Sequence, residues 1–231
     1  MVETRYVDGD YLKNNPDWHA TDSRFKAAWI AAILKRNGVV PRTIAEIGCG
    51  AGEILVELSH RYPEAKLSGF DVSPQAFEIA SGKANAAIDI HLEDFLAGDR
   101  SGFDVVMAID VFEHVPDYMG FIRGLKDKGT YKLFHIPLDL SASGLLRPAA
   151  MRYTREVVGH LHSFTRETAL ETLRDCGLEV IDWNYTHGAE QLPNQRLKTK
   201  VMNVPRRILR AVNEDFAVRL LGGASAMVLT K

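Results

Sequence analysis

Cysteine is scarce in this chain, with two residues in 231, Cys49 and Cys176. Two cysteines cannot build a disulfide framework or a cysteine-based zinc site, and their scarcity suits a reducing compartment. Long apolar runs are also missing: the longest, residues 27–34 and 103–109, fall far short of the roughly 20 residues that a membrane-spanning helix requires. The opening MVETRYVDGDYL has no apolar core of the kind a signal peptide carries, so a soluble, cytoplasmic protein is expected. Neither sign of charge dominates. With 28 Lys and Arg against 30 Asp and Glu, the net charge is -2, and no general attraction to nucleic acid or an anionic membrane follows. Repeats, low-complexity tracts and dividing linkers are absent as well, so residues 1–231 read as one domain. What is present is ordinary for a globular chain, 46% hydrophobic and 25% charged, which excludes disorder.

The hydrophobic pattern then sets the order of elements. Thr21 or Asp22 caps a helix in which Phe25, Trp29 and Ile33 recur every four residues, and Gly38 ends it, making residues 1–40 an N-terminal helical unit. From residue 43 strand and helix alternate: TIAEIG, GEILVELSHRY stopped by Pro63, AKLSGFD, and a helix opened by Ser73 and Pro74. The strands IDIHLED, FDVVMAID and YKLFHIP follow, and an apolar run such as FDVVMAI suits a central parallel strand buried on both faces. An α/β fold with a doubly wound, seven-stranded, mostly parallel sheet is the reading. An irregular segment, 138–164, precedes the helix RETALETLRDC and the strand LEVIDWNY. A second insertion, 186–223, precedes the last strand SAMVLT, and within it Pro205 starts a helix with Leu209, Val212 and Phe216 on one side. Both insertions, together with Trp18 and His19, are expected to roof a site.

The strongest local signal is Glu46-Ile47-Gly48-Cys49-Gly50-Ala51-Gly52, lying where the first strand turns into a helix. Open α/β sheets bind ligands at this carboxyl edge. Glycines suit the position because a side chain would block a ligand's approach to the backbone, and because the turn calls for positive φ. A dinucleotide fingerprint would carry its third glycine or alanine where Glu53 stands, and an acidic residue opening the helix disfavours a pyrophosphate at its N-terminus.

The loop resembles motif I of the class I S-adenosylmethionine-dependent methyltransferases, and the resemblance continues through most of residues 43–231. Asp71 ends the second strand, where that family uses a carboxylate for the ribose hydroxyls. Glu93-Asp94-Phe95 follows the third, where the family recognises adenine. Asp110-Val111-Phe112-Glu113-His114-Val115 after the fourth strand is similar to the small-molecule branch that includes the ubiquinone-pathway O-methyltransferases. Gly222-Gly223-Ala224-Ser225 leading into AMVLT is similar to that branch's antiparallel last strand. The resemblance implies a Rossmann-like fold with 43–137 as the cofactor half and 138–231 as the acceptor half. It also implies S-adenosylmethionine as cofactor, with S-adenosylhomocysteine as product. On this reading Gly48, Gly50 and Gly52 let the methionine portion lie against the backbone, Asp71 holds the ribose and Asp94 the adenine amino group. Val72 and Phe95 sandwich the base, Glu46, Cys49, Glu93, Ile109 and Asp110 complete the cofactor site, and Lys26 meets the methionine carboxylate.

The implied reaction is methyl transfer to a small molecule, to oxygen ahead of nitrogen, and a hydroxyl acceptor would need a base. Histidine suits that task by its pKa. His135, at the end of the fifth strand, ranks first, with His162 and His114 behind it. His160-x-His162 has the look of a metal pair, but no third ligand sits at a suggestive spacing, and no metal is expected. In the second insertion Arg196, Lys198, Lys200, Arg206, Arg207, Arg210 and Arg219 outnumber Glu190, Glu214 and Asp215 by four. Such an excess would draw an anionic acceptor, although a solvated amphipathic helix accounts for the same residues. Rival readings are a methyltransferase of protein or nucleic acid, a non-catalytic cofactor-binding protein, and a dinucleotide oxidoreductase. Ile109-Asp110-Val111-Phe112 lacks the Asp/Asn-Pro-Pro-aromatic signature of base-amino methylation, and the chain contains no Pro-Pro pair.

Overall fold

The computed structural model describes residues 22–188 and 197–231, with residues 197–199 described by backbone alone. Trp18, His19, Thr21, Glu190 and Arg196 lie outside the described residues, as does the side chain of Lys198.

Helix α1 (Ser23–Arg36) leads into β1 (Thr43–Ile47), α2 (Glu53–Arg61), β2 (Lys66–Asp71), α3 (Pro74–Ser81), β3 (Ile88–Leu92) and β4 (Phe103–Ile109). Then come α4 (Tyr118–Leu125), β5 (Gly129–Pro137), α5 (Ala142–Leu145), α6 (Pro148–Tyr153), α7 (Arg166–Asp175) and β6 (Val180–Thr186). The chain finishes with α8 (Leu197–Val212), α9 (Glu214–Leu221) and β7 (Ser225–Thr230). One seven-stranded sheet runs β3-β2-β1-β4-β5-β7-β6. The first five strands in that order are parallel, and β7 runs antiparallel to both β5 and β6. The doubly wound sheet with an antiparallel last strand is therefore present, and the β1 and β4 ends adjoin at the point where strand order reverses, which is where such sheets bind ligands.

Alternation along the strands divides the core into two layers. Val105, Met107, Leu133, Met227 and Leu229 pack under α1 and α2. Val106, Ala108, Phe134, Ala226 and Val228 face the opposite layer, which holds Phe112, Ile122, Phe164 and Leu173. A one-residue slip in any central strand would exchange these sets, so two-sided burial fixes the register.

Three local expectations change. In α1 the buried face is Ser23, Lys26, Ala27, Ile30, Ile33 and Leu34, whereas Phe25 and Trp29 are half-buried and meet edge to face. A lysine thus occupies the face that apolar spacing assigned to aromatics. Residues 138–164 are not wholly irregular. Ser141 caps α5 by accepting the Gly144 N–H, Pro148 stands in the first turn of α6, and a π-helical turn, Thr154–Val158, follows. Finally, Pro205 lies inside α8, not at its start, and Asn213 caps a separate α9 by accepting the Phe216 N–H. Proline removes one hydrogen bond from a helix interior. Here the apolar spacing of Val201, Val204, Ile208 and Val212, all exposed, continues straight through it.

Candidate active site

The turn after β1 is held by the neighbouring strand. Gly48 and Cys49 donate their N–H groups to the Phe70 carbonyl at 2.8 and 3.1 Å, and Gly50 donates to Asp71 Oδ2 at 2.9 Å. Gly48, Gly50 and Gly52 all have positive φ, 69°, 53° and 76°, a region costly for a residue with Cβ. At Gly48 space is lacking too, since a Cβ would approach Val111 Cγ2 to 2.9 Å. Lys83, which sequence reasoning missed, braces the loop from outside by donating to the Ala51 carbonyl at 2.6 Å and pairing with Glu53 Oε1 at 3.1 Å. Cys49 is buried, and burial raises its thiol pKa well above the ordinary value.

Asp71 uses both oxygens on backbone amides, Oδ2 on Gly50 and Oδ1 on Ser73 at 2.8 Å. Burial lifts its pKa, partly offset by the amide hydrogen bonds. Each oxygen keeps a further lone pair. Beside it Val72 is 52% exposed and presents an apolar surface, whereas Phe95 is in the core against Phe70 and Phe103. The two therefore do not face each other across an open slot. Asp94 is exposed and turns one oxygen back on the Leu96 N–H at 2.9 Å, and Glu93 pairs with Arg100 at 2.7 Å.

Beneath the loop lies a buried charge cluster. Lys26 Nζ stands 2.8 Å from Asp110 Oδ2 and 3.0 Å from Asp22 Oδ2. Burial works against the lysine's charge, but the two carboxylates outweigh it and raise its pKa above the usual lysine value. Asp110 follows β4 with φ of 55°, the one non-glycine residue with positive φ among those described. Burial alone would raise its pKa, yet His135 and Lys26 hold the carboxylate well below the usual range. Glu46 is 1% exposed and its Oε2 has no hydrogen-bond partner among the described residues. Burial pushes its pKa up to about 8, against the pull of Lys26.

The histidines sit differently from expectation. His135 is 4% exposed. Its Nδ1 meets Asp110 Oδ1 at 2.6 Å and its Nε2 meets Thr186 Oγ1 at 2.8 Å, so both ring nitrogens are engaged within the protein. The reason is register: β5 pairs His135 with Ile109, next to Asp110, and with Met227 on β7. His162 Nε2 donates to the Val115 and Pro116 carbonyls at 3.0 and 3.2 Å, with its ring against Tyr118. The sequence paired His160 with His162, but the structure separates them. His160 lies instead against His114, ring centroids 4.9 Å apart, and its Nδ1 donates to Asp139 Oδ2 at 2.6 Å. His114 joins Ile109, buried at the end of β4, near the same carboxyl edge.

The two insertions meet over a cavity of about 320 Å³ at the ends of β5 and β7, lined among others by Asp139, Arg147, Met151, Arg206 and Gly223. Arg206 comes from α8 and donates to the Leu221 carbonyl, while Arg147 donates to the Ser143 carbonyl. Among the described residues, the other cations of the second insertion do not line this cavity. Arg219 pairs with Glu167 and lies on the surface, Lys200 and Arg207 are exposed, and Arg210 is half-buried. Glu214 and Asp215 are taken by His187 and Arg166.

Comparison with known proteins follows this geometry. Residues 18–182 match the family model described as a methyltransferase domain. A ubiquinone biosynthesis O-methyltransferase of Vibrio vulnificus (strain YJ016) is 28% identical over 140 residues, covering 53% of this chain and 59% of that protein. The chain thus spans a little under two thirds of that relative's length. A trans-aconitate 2-methyltransferase of Mycobacterium sp. (strain KMS) is 25% identical over 187 residues, 75% of this chain and 72% of that protein. Among solved structures, magnesium protoporphyrin IX methyltransferase from Synechocystis PCC 6803 with bound S-adenosylhomocysteine superposes with a TM-score of 0.61 at 15% identity. That match covers 90% of this chain and 82% of the other, and the likeness is one of fold.

Proposed function

The chain belongs to the methyltransferase domain family, and on that premise we propose that it transfers the methyl group of S-adenosylmethionine to an ionised oxygen of a small anionic molecule. The observation that carries the cofactor is the glycine turn pinned by Asp71, with the partnerless buried oxygen of Glu46 beneath it. When bound, S-adenosylmethionine supplies a methyl group on a sulfonium, open to in-line displacement.

The residues present fit that cofactor. Gly48, Gly50 and Gly52 expose backbone with no side chain in the way. Asp71 keeps lone pairs for two ribose hydroxyls, each such charge-assisted bond being worth roughly 1.5–3 kcal/mol. Val72 offers the base an apolar face, and the oxygen of Asp94 not used on Leu96 suits its amino group. An amino acid end carries one positive and one negative group. Glu46 matches the first, since its buried Oε2 has no partner among the described residues and a positive group beside it would favour the ionised carboxylate that burial alone disfavours. Lys26 matches the second, since an ammonium has three donors and two are spent on Asp22 and Asp110.

Two features favour an ionised oxygen as nucleophile. His135, the leading base candidate by sequence, has both ring nitrogens engaged within the protein, and the Nε2 of His162 is held by two carbonyls. An acceptor that is already a carboxylate needs no base, only positioning. Arg147 and Arg206 at the cavity supply the charge that would hold such an acceptor. The test is a panel of small carboxylates and neutral hydroxyl compounds incubated with radiolabelled S-adenosylmethionine. Base-labile methyl ester formed from a carboxylate supports the reading, and transfer confined to neutral hydroxyls or amines opposes it.

A further inference from the structure

Glu113 lies outside everything assigned above, yet its state calls for a partner. It sits in the single 3-10 turn Phe112–His114 that follows β4, 1% exposed, and neither carboxylate oxygen has a hydrogen-bond partner among the described residues. A buried polar group left unsatisfied costs free energy, more so for a group that ionises. Two imidazoles stand near it, with the carboxylates of Asp110 and Asp139 beyond. His160 arrives from the first insertion because Leu161 and His162 both donate their N–H groups to the Glu113 carbonyl, at 2.8 and 3.1 Å. Among the described residues, Glu113, His114 and His160 each bring one ligand atom to within 4.8 Å of the other two.

Behind this trio stands an orienting carboxylate. His160 Nδ1 donates to Asp139 Oδ2 at 2.6 Å, which fixes the tautomer and leaves the lone pair on Nε2. A ligating histidine is commonly held in this way, with its second nitrogen on a carboxylate that raises its basicity. Two imidazoles and one carboxylate form the donor set of open divalent transition-metal sites, in which further positions remain for water or substrate. Metal bonds of about 2.0–2.2 Å hold ligand atoms roughly 3–4 Å apart, so the cluster has only to draw in slightly.

We propose that Glu113, His114 and His160 bind one divalent transition-metal ion, with Asp139 as the positioning residue for His160. Asp139 also lines the cavity between the insertions, and an ion with three protein ligands keeps further positions open. An acceptor oxygen is the natural occupant of such a position, a use that rests on the methyl-transfer reading. Ion binding itself does not. Sequence spacing concealed the set because His162, the apparent partner of His160, is the wrong residue, and the true partners, Glu113 and His114, come 47 and 46 positions earlier.

The experiment is titration of the chelator-treated full chain with Zn²⁺, followed by calorimetry, and with Co²⁺, followed by visible absorption, without cofactor or acceptor. One ion per chain is expected, with Co²⁺ bands of low-coordinate geometry. His160→Ala and Glu113→Gln should each weaken Zn²⁺ binding at least about 10-fold, and Asp139→Asn by about 10–100-fold. His60→Ala, on an exposed position of α2, should leave it unchanged. Circular dichroism shows that each variant is folded, and His160→Ala carries the test if Glu113→Gln is not. No ion bound by the parent chain, or equal affinity in folded His160→Ala, overturns the proposal. Because no methyl transfer is measured, a failure of the proposed function would not be mistaken for a failure of the metal site.

Discussion

His135 Nδ1 lies 2.6 Å from Asp110 Oδ1, and under the proposed function this contact serves to prop the aspartate. Lys26 holds the other oxygen of Asp110 at 2.8 Å, so one carboxylate with an unfavourable φ is gripped from both sides. Removing the prop in His135→Ala should cost on the order of 2 kcal/mol of stability, as loss of a charge-assisted hydrogen bond does. Urea unfolding measures it. The pH dependence of turnover should keep its shape, and loss of a rise through the histidine range would return the role of base to His135.

Asp110 itself separates strain from charge. Asn tolerates the left-handed region better than Ala, so Asp110→Asn should unfold at higher urea than Asp110→Ala, by about 1 kcal/mol of strain. Both variants lose the ion pair with Lys26 and should bind S-adenosylhomocysteine more weakly. Equal stability of the two would show that the backbone here is not held against its preference.

Asp71→Ala should weaken cofactor binding by about 10-fold or more, because hydrogen bonds to two hydroxyls disappear. The structure adds a second cost, since Asp71 also holds the Gly50 N–H. Asp71→Asn keeps an acceptor for that amide and should recover loop stability without recovering full affinity. Calorimetry beside thermal melting distinguishes the two effects.

Much of this arrangement was legible in the sequence, for physical reasons that differ by element. The sheet could be read because FDVVMAI and its neighbours are buried on both faces, which leaves a local apolar signature. The glycine turn could be read because backbone geometry restricts its residue types. Partner choice left no such trace. Lys26 was named, but nothing in its spacing says that Asp110, 84 positions later, is its counter-ion. Thr186, Lys83 and Asp139 were missed because a hydroxyl, an ammonium or a carboxylate at these positions reads as a solvent-facing side chain until the fold brings its partner. Pro205 misled because proline marks helix starts more often than interiors.

Glu46 predicts a pH dependence. Its carboxyl is lifted by burial from about 4.5 to about 8 in the folded chain. Between those values the native state keeps a proton that the unfolded chain releases, so stability falls as pH rises through this window and levels off above it. Glu46→Gln should flatten that fall, giving a melting temperature that changes less than the parent's between pH 5 and 8. Parallel curves for the two proteins would assign the fall to other groups.

Arg147 tests the acceptor. If it serves to hold an anionic small molecule, Arg147→Ala should raise KM for a carboxylate acceptor about 10-fold with kcat little changed, the sign of lost uniform binding. Comparable loss with a neutral acceptor would point to a structural role for its bond to the Ser143 carbonyl.

The central claim is that the turn from Gly48 to Gly52 and the carboxylate of Asp71 bind the methyl donor. Calorimetric titration of the chain with S-adenosylhomocysteine, run beside NAD, tests it most directly. The account predicts one site per chain for S-adenosylhomocysteine, a raised melting temperature through mass action, and loss of binding in Gly50→Val. Binding of NAD in its place, or full affinity retained by Gly50→Val, would contradict it.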